Sequence, residues 1–180
     1  MTRPAPDAPI ETPWQGRYIK VNVKGSWEYV SRPNGVRAAV ILALDEGEDG
    51  RHVILVEQYR VPLGRNCIEL PAGLVGDEQE GEAAFAAAQR ELEEETGYTA
   101  NLWEDAGEFY SSPGMVSESF SLFVAKYLNK VSEGGGVNDE NITVHRVKLD
   151  ELPEFLAQKR EEGAGVDVRI LMLLGARLMG

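Results

Sequence analysis

The stretch 81–96, GEAAFAAAQRELEEET, constrains this chain most, because it pairs the clearest helical pattern in the sequence with a concentration of acids. Its Ala, Glu and Leu content favours helix, acids are expected in the first turn, and Gly97 follows where helices end in a left-handed residue. With Leu92 as the core reference and about 100° per residue, Phe85, Ala88 and Thr96 fall within about 40° of it and form one buried stripe. Glu95 then lies about 60° from that axis, Glu91 about 100° and Glu94 about 160°, all on one flank, while Glu93 points to the other side.

Carboxylates three and four apart on a helix stand about 5–6 Å from one another and repel. At an effective dielectric near 20, one such pair costs roughly 3 kcal/mol before salt and water reduce it. A solvated face is the ordinary reading of ELEEE. Crowding beside a core is relieved when divalent cations occupy the gap. All-oxygen ligation favours Mg2+, Mn2+ or Ca2+ over zinc. Cys67 is the single cysteine, which leaves neither an intrachain disulfide nor a cysteine-based zinc site and fits a reducing cytoplasm.

Strand patterns flank the helix. RYIKVNVKG (17–25), SWEYVSRPNG (26–35), VRAAVILALDEG (36–47) and RHVILVEQYR (51–60) precede it, with CIELPAGLVG (67–76) a short strand broken by Pro71 and Gly73. NLWEDAGEFYSS, ESFSLFVAKYL (118–128) and ITVHRVKL (142–149) follow as strands around the loop SEGGGVNDEN (132–141). LDELPEFLAQKREEG and VDVRILMLLGARLMG close the chain as helices, with start signals at Asp150 and Asp167. This order gives an α+β fold, an α/β/α sandwich in which helices flank a mixed β-sheet. The proline-bearing residues 1–15 are expected to be an extended or poorly ordered lead-in to a single domain over 16–180.

A net charge of −12 argues against a general nucleic-acid binder, and no apolar run approaches the length of a membrane span or a secretory signal. An acidic chain acting on an anion needs local positive charge from a metal or a few placed arginines.

The segment GDEQEGEAAFAAAQRELEEETGY (76–98) resembles the Nudix box, G-x5-E-x7-R-E-U-x-E-E-x-G-U, where U is a bulky apolar residue. Gly76, Glu82, Arg90, Glu91, Leu92, Glu94, Glu95 and Gly97 match it, and Tyr98 fills the last place loosely. The preceding ELPAGLV also looks like the family's strand and loop, and on that alignment Gly73 is the consensus glycine, three residues are inserted before Glu82, and Gly76 completes the pattern by coincidence. The resemblance implies the Nudix fold and metal-dependent hydrolysis of a nucleoside diphosphate linked to a further group. It implies Glu91 and Glu95 as metal ligands, Glu94 as a further ligand or a water-orienting catalytic residue, the backbone carbonyl of Ala72 as a ligand, and Arg90 as a partner that fixes a box glutamate. Mg2+, with Mn2+ as the alternative, is the implied cofactor.

Beyond the box the chain is similar to the ADP-ribose and ADP-sugar diphosphatase branch, whose reaction on ADP-ribose yields AMP and ribose 5-phosphate. VEQYR and PLGRNCIELPAGLV carry that likeness and imply that Arg60 meets the substrate phosphates; the competing reading is an edge-strand surface arginine. YSSPGM puts Pro113 where this branch has a proline, although GDP-mannose enzymes share a version of it. GRYIKV and SWEYVSR imply Tyr18 and Trp27 as aromatics stacking on the base, one from each subunit of a homodimer, with Arg32 nearby; core packing is the alternative. GGGVNDENI resembles a loop that carries a late catalytic glutamate over the metals, here Glu140 or alternatively Asp139, its glycines giving it freedom to close. Trp14 and Trp103 lack such a match and read as packing, His52 and His145 as surface or satisfied core histidines, and Cys67 as a small buried apolar residue rather than a nucleophile. The competing functions are hydrolysis of another nucleoside diphosphate sugar such as GDP-mannose, a Nudix fold that senses ligands without hydrolysis, and an RNA-cap hydrolase, which the acidity disfavours.

Overall fold

Alternation sorts the strand residues onto two faces, and a core forms on each. The computed structural model describes residues 2–76, 81–137 and 140–178. Strand β4 (Ala38–Gly47) lies beside β5 (Gly50–Arg60), and the two form the centre of the larger sheet. Around them run β6 (Arg65–Glu69), β7 (Ala72–Leu74), β8 (Tyr98–Tyr110), β9 (Ser119–Lys130), β10 (Thr143–Lys148) and β11 (Gly165–Val166). The order is β11-β6-β5-β4-β9-β8, with β10 also paired to β5 and β7 to β4. β4 runs parallel to β9 and β6 parallel to β11, while the other pairs are antiparallel, so the sheet is mixed.

Ala39, Ile41, Ala43 and Ile54 face one side, where helix α1 (Ala84–Thr96) lays Ala87, Ala88 and Leu92 against them. Small residues on both partners allow that close approach. Val40, Val53 and Leu55 face the other side, where Leu152 and Leu156 of α2 (Leu152–Glu161) and Ile170 complete the second core. Asp167 accepts a hydrogen bond from the Arg169 N–H and starts a 3-10 turn, Val168–Ile170, before α3 (Leu171–Leu178). A separate three-stranded antiparallel sheet holds β1 (Glu11–Gln15), β2 (Lys20–Lys24) and β3 (Trp27–Ser31). The helix–sheet–helix arrangement expected for an α/β/α sandwich is thus realised.

Four expectations are corrected. Trp14, expected as packing, is 53% exposed on β1, the extended strand that ends the lead-in. Helix α1 starts at Ala84, so Glu82 precedes it and its first turn carries no acid. Phe85, the second residue of the helix and two turns before Leu92, lies on the expected stripe but is 42% exposed. It packs instead edge-on against Trp103, with ring centres 5.6 Å apart, and against Phe123 at 5.8 Å. Strand β8 begins at Tyr98, directly after the helix cap, rather than at Asn101.

Candidate active site

The acidic flank of α1 is buried in the order that helical geometry sets. Glu95 is 5% exposed, while the side chains of Glu91 and Glu94 are 11% and 27% exposed. These figures follow the angular order of the three residues from Leu92. Glu95 Oε2 accepts a hydrogen bond from the Ala72 N–H at 3.0 Å, which ties β7 to the last turn of α1. Burial pushes the Glu95 carboxyl up to about 8; the Ala72 N–H and Arg60 oppose that, while the negative charges of Glu91 and Glu140 raise it further.

Glu91 lies against Gly73. A Cβ added at Gly73 would stand 2.5 Å from Glu91 Cγ and nearer still to the carboxyl, so any side chain there displaces Glu91. Arg90 gathers the remaining carboxylates: its Nη1 donates to Glu91 Oε1 at 2.9 Å and to Glu94 Oε2 at 3.0 Å, and its Nε donates to Glu82 Oε1 at 3.3 Å. Glu82 Oε2 accepts from the Gly76 N–H at 3.2 Å. Gly73 therefore makes the close approach and Gly76 the loop contact, which gives each of the two candidate consensus glycines its own task. Residues 77–80, most of the inserted loop, lie outside the described residues.

The end of α1 is sealed by the loop that follows β9. Gly97 takes a left-handed conformation and donates to Glu93 O, Gly136 N–H to Glu94 O, Gly135 N–H to Glu95 O, and Lys130 Nζ to Thr96 O. These contacts satisfy the last four carbonyls of the helix. Thr96 Oγ1 donates to Leu92 O within the helix. Gly134 makes a close backbone approach here, since a Cβ on it would stand 2.6 Å from Gly97 N. Glu140 Oε2 accepts from the Val137 N–H, and Asp139, the alternative candidate, lies outside the described residues.

A cavity of about 490 Å³ opens beside this cluster, lined by Arg32, Arg60, Ala72, Gly73 and Arg169 together with Glu69, Glu118 and Asp167. Arg60 belongs to β5, an inner strand, so the edge-strand reading does not hold. Its Nε and Nη2 donate to the two oxygens of Glu69 at 2.7 and 2.9 Å. Arg32 pairs with Glu118, and Arg169 with Asp167 through Nε at 2.6 Å and Nη2 at 2.9 Å. Each arginine of the cavity thus has its own carboxylate.

Trp27 lines a different cavity, of about 510 Å³, with Tyr29, Lys24 and Pro113, so it does not share a cavity with Arg32. Tyr18 is exposed beside β2, with the Arg17 guanidinium 5.0 Å from its ring centre. Val30 joins that sheet to the Pro113 segment through hydrogen bonds with Met115 and Ser117. His52 is buried and meets Gly50 O at 3.0 Å; His145 pairs with Glu57 at 2.9 Å; Cys67 is buried, which pushes its thiol up to about 11. Cys67 lines the arginine cavity described above, whereas neither histidine does.

Sequence reasoning missed Glu69, Glu118, Asp167 and Arg169 as parts of the site. A carboxylate inside the apolar strand CIEL was the available signal for Glu69. Among the described residues, no group of three or more His, Cys, Asp and Glu side chains converges as a preformed metal cage. Glu91 and Glu94 turn to Arg90, and Glu95 turns to Ala72.

The family model for the NUDIX domain matches residues 34–166. A methanol dehydrogenase activator of Bacillus methanolicus is 35% identical over 82% of this chain and 80% of its own. An ADP-ribose pyrophosphatase of Bacillus subtilis is 38% identical over 74% and 68%, and a GDP-mannose pyrophosphatase of Cronobacter sakazakii 36% identical over 84% and 77%. A solved structure described as an ADP compounds hydrolase superposes with a TM-score of 0.63 over 86% of this chain and 92% of that chain, at 24% identity. That structure supports the fold.

Proposed function

Because the chain belongs to the Nudix family, we propose that it hydrolyses the diphosphate of ADP-ribose to AMP and ribose 5-phosphate, or that of a related ADP-sugar to AMP and the sugar phosphate, with a divalent metal, Mg2+ or alternatively Mn2+. In that reaction a water oxygen bonds to one phosphorus, and the bridging P–O bond breaks to release the second phosphate with its sugar. The observation that carries the reading is a charge balance. The arginine cavity holds three arginines against three acids, and Glu91 and Glu95 stand behind its wall at Ala72 and Gly73. A diphosphate entering a neutral cavity beside buried carboxylates needs further positive charge.

The donor set fits such an ion: carboxylate oxygens of Glu91, Glu94 and Glu95 and the Ala72 carbonyl, all hard ligands, with Glu95 buried against the repulsion of Glu91 and Glu140. An ion held by these residues would supply the positive charge that offsets the diphosphate and favours deprotonation of the attacking water. Arg90 holds Glu91 and Glu94 in place, and Arg60 and Arg32 grip phosphate oxygens. Glu94 and Glu140 are the candidates to orient the attacking water or take its proton. Tyr18 and Trp27 stack on the base in a homodimer, each subunit contributing one ring, and Pro113 shares the Trp27 cavity. We place the enzyme in the cytoplasm on the strength of its lone, buried Cys67.

The Cronobacter relative supports a second reading, GDP-mannose hydrolysis. A panel of nucleoside diphosphate sugars, each run with Mg2+, Mn2+ and chelator, separates the two. The highest kcat/KM is expected on ADP-ribose, with activity lost in chelator; an equal or higher value on GDP-mannose selects the second reading. Glu95→Gln is expected to abolish turnover at saturating metal, and near-normal turnover by that variant would remove Glu95 from the site. Reaction in 18O-labelled water identifies the attacked phosphorus.

A further inference from the structure

We propose that Arg169 is a positioning residue for Arg60, acting through the buried carboxylate of Glu69; this rests on the reading that Arg60 grips the substrate diphosphate. Arg60 remains 41% exposed, whereas the Glu69 side chain it holds with two hydrogen bonds is only 5% exposed. A lone arginine–carboxylate pair at the end of a strand can swing as a unit. Here a third group fixes it: Arg169 Nη2 donates to Glu69 Oε2 at 3.3 Å, the oxygen that also accepts from Arg60 Nη2.

Arg169 is itself anchored to the backbone. Its Nε and Nη2 bind both oxygens of Asp167, the Asp167 side chain also accepts from the Arg169 N–H at 2.7 Å, and the Asp167 N–H donates to Ile68 O, next to Glu69. The parallel pairing of Gly165 with Cys67 and Val166 with Ile68 holds this turn against β6. The Arg169 guanidinium also lies 5.8 Å from the ring centre of Phe120. The chain of contacts runs from a fixed turn, through Asp167, Arg169 and Glu69, to the one guanidinium in the series that faces the cavity with much exposed area. Charges alternate along it, so the buried Glu69 carboxylate is compensated from both sides.

The test combines kinetics with a readout that needs no substrate. Arg169→Gln is expected to raise KM for the best nucleoside diphosphate sugar about tenfold, the loss of one charge-assisted hydrogen bond, with kcat within about threefold. In an Arg60→Gln background the same change is expected to add almost nothing. Arg169→Lys keeps the charge, guards against misfolding of the glutamine variant, and is expected to lie between wild type and Gln. In 15N spectra, the Arg60 Nε–H of wild type is expected to exchange slowly with water, and that protection is lost in Arg169→Gln and reduced in Arg169→Lys. An unchanged Arg60 signal, an unchanged KM, or full additivity with Arg60→Gln overturns the proposal. A wild type that turns over no nucleoside diphosphate sugar overturns the functional reading instead, and the Arg60 signal then still decides whether Arg169 positions that side chain.

Discussion

Replacing Gly73 with alanine separates the site from the fold. The added Cβ would stand 2.5 Å from Glu91 Cγ, with the carboxyl closer. Carbon atoms in contact prefer about 3.5–4.0 Å, so Glu91 must move by roughly 1 Å or more. Rotating it away breaks its 2.9 Å ion pair with Arg90 and takes its carboxylate out of the cluster proposed to hold the metal. The cost to stability is about 1–2 kcal/mol, or a few degrees in Tm, for a displaced rotamer and one largely buried ion pair whose Arg90 keeps Glu82 and Glu94 as partners. The cost to turnover is much larger, since a misplacement of about 1 Å at a reacting centre is worth about 100-fold. Nucleotide release under saturating Mg2+, with thermal denaturation alongside, measures both. In a Glu91→Ala background the obstruction is gone, and Gly73→Ala is expected to change neither quantity further. Turnover by Gly73→Ala within about threefold of wild type would refute the reasoning, because Glu91 could then leave its place without consequence.

Two further outcomes follow from other parts of the structure. At Gly134, φ is +70° and a Cβ would meet Gly97 N at 2.6 Å, so Gly134→Ala is expected to lower Tm by roughly 5 °C or more and to reduce turnover by loosening the Glu140 loop, as read by calorimetry and kinetics. Burial alone would raise the Glu57 carboxyl, but hydrogen bonds from Asn66, Lys159 and His145 outweigh it and hold it at about 2. A folded-state value below the unfolded one gives stability that is present above about pH 4.5 and lost as pH falls towards 2. After allowance for solvent screening this is about 1–2 kcal/mol, so Glu57→Gln should flatten the acid limb of urea midpoints between those pH values. An acid limb as steep as wild type's would count against Glu57.

The features legible in the sequence are those that depend on local periodicity. Leu92, Ala88 and Thr96 are buried as the helical angles require, and Glu95, Glu91 and Glu94 grade outward in the expected order. VRAAVILAL read as a strand, and it lies in the middle of the sheet with residues buried in both cores, although which residue faces which core came only from the structure. Phe85 departed from its angle because periodicity gives a direction but not the extent of the surface beneath it. The arginine cavity was harder to read because it is assembled from afar: Arg169 and Glu69 are 100 residues apart, and Arg32 and Glu118 are 86. The carbonyl partners of the glycine loop were hidden for the same reason, since glycine for flexibility and glycine for close approach look alike in a sequence.

That long-range assembly bears on how a chain with a net charge of −12 can manage an anion at all. A cavity with unopposed arginines would attract phosphates broadly, and the folded chain would pay for holding like charges together. Here Glu118, Glu69 and Asp167 together pair all three arginines, Glu69 being shared by Arg60 and Arg169, so the guanidiniums are oriented without making the cavity positive. The missing charge then has to come from outside, and Ala72 and Gly73 are the thin partition where the neutral cavity meets Glu95 and Glu91. A cation that satisfies those carboxylates also completes the cavity's attraction for a diphosphate, so neither ligand is strongly favoured without the other. On this argument, selectivity for a metal-bound diphosphate over a bare phosphate follows from pairing every arginine, and it needs no additional recognition group.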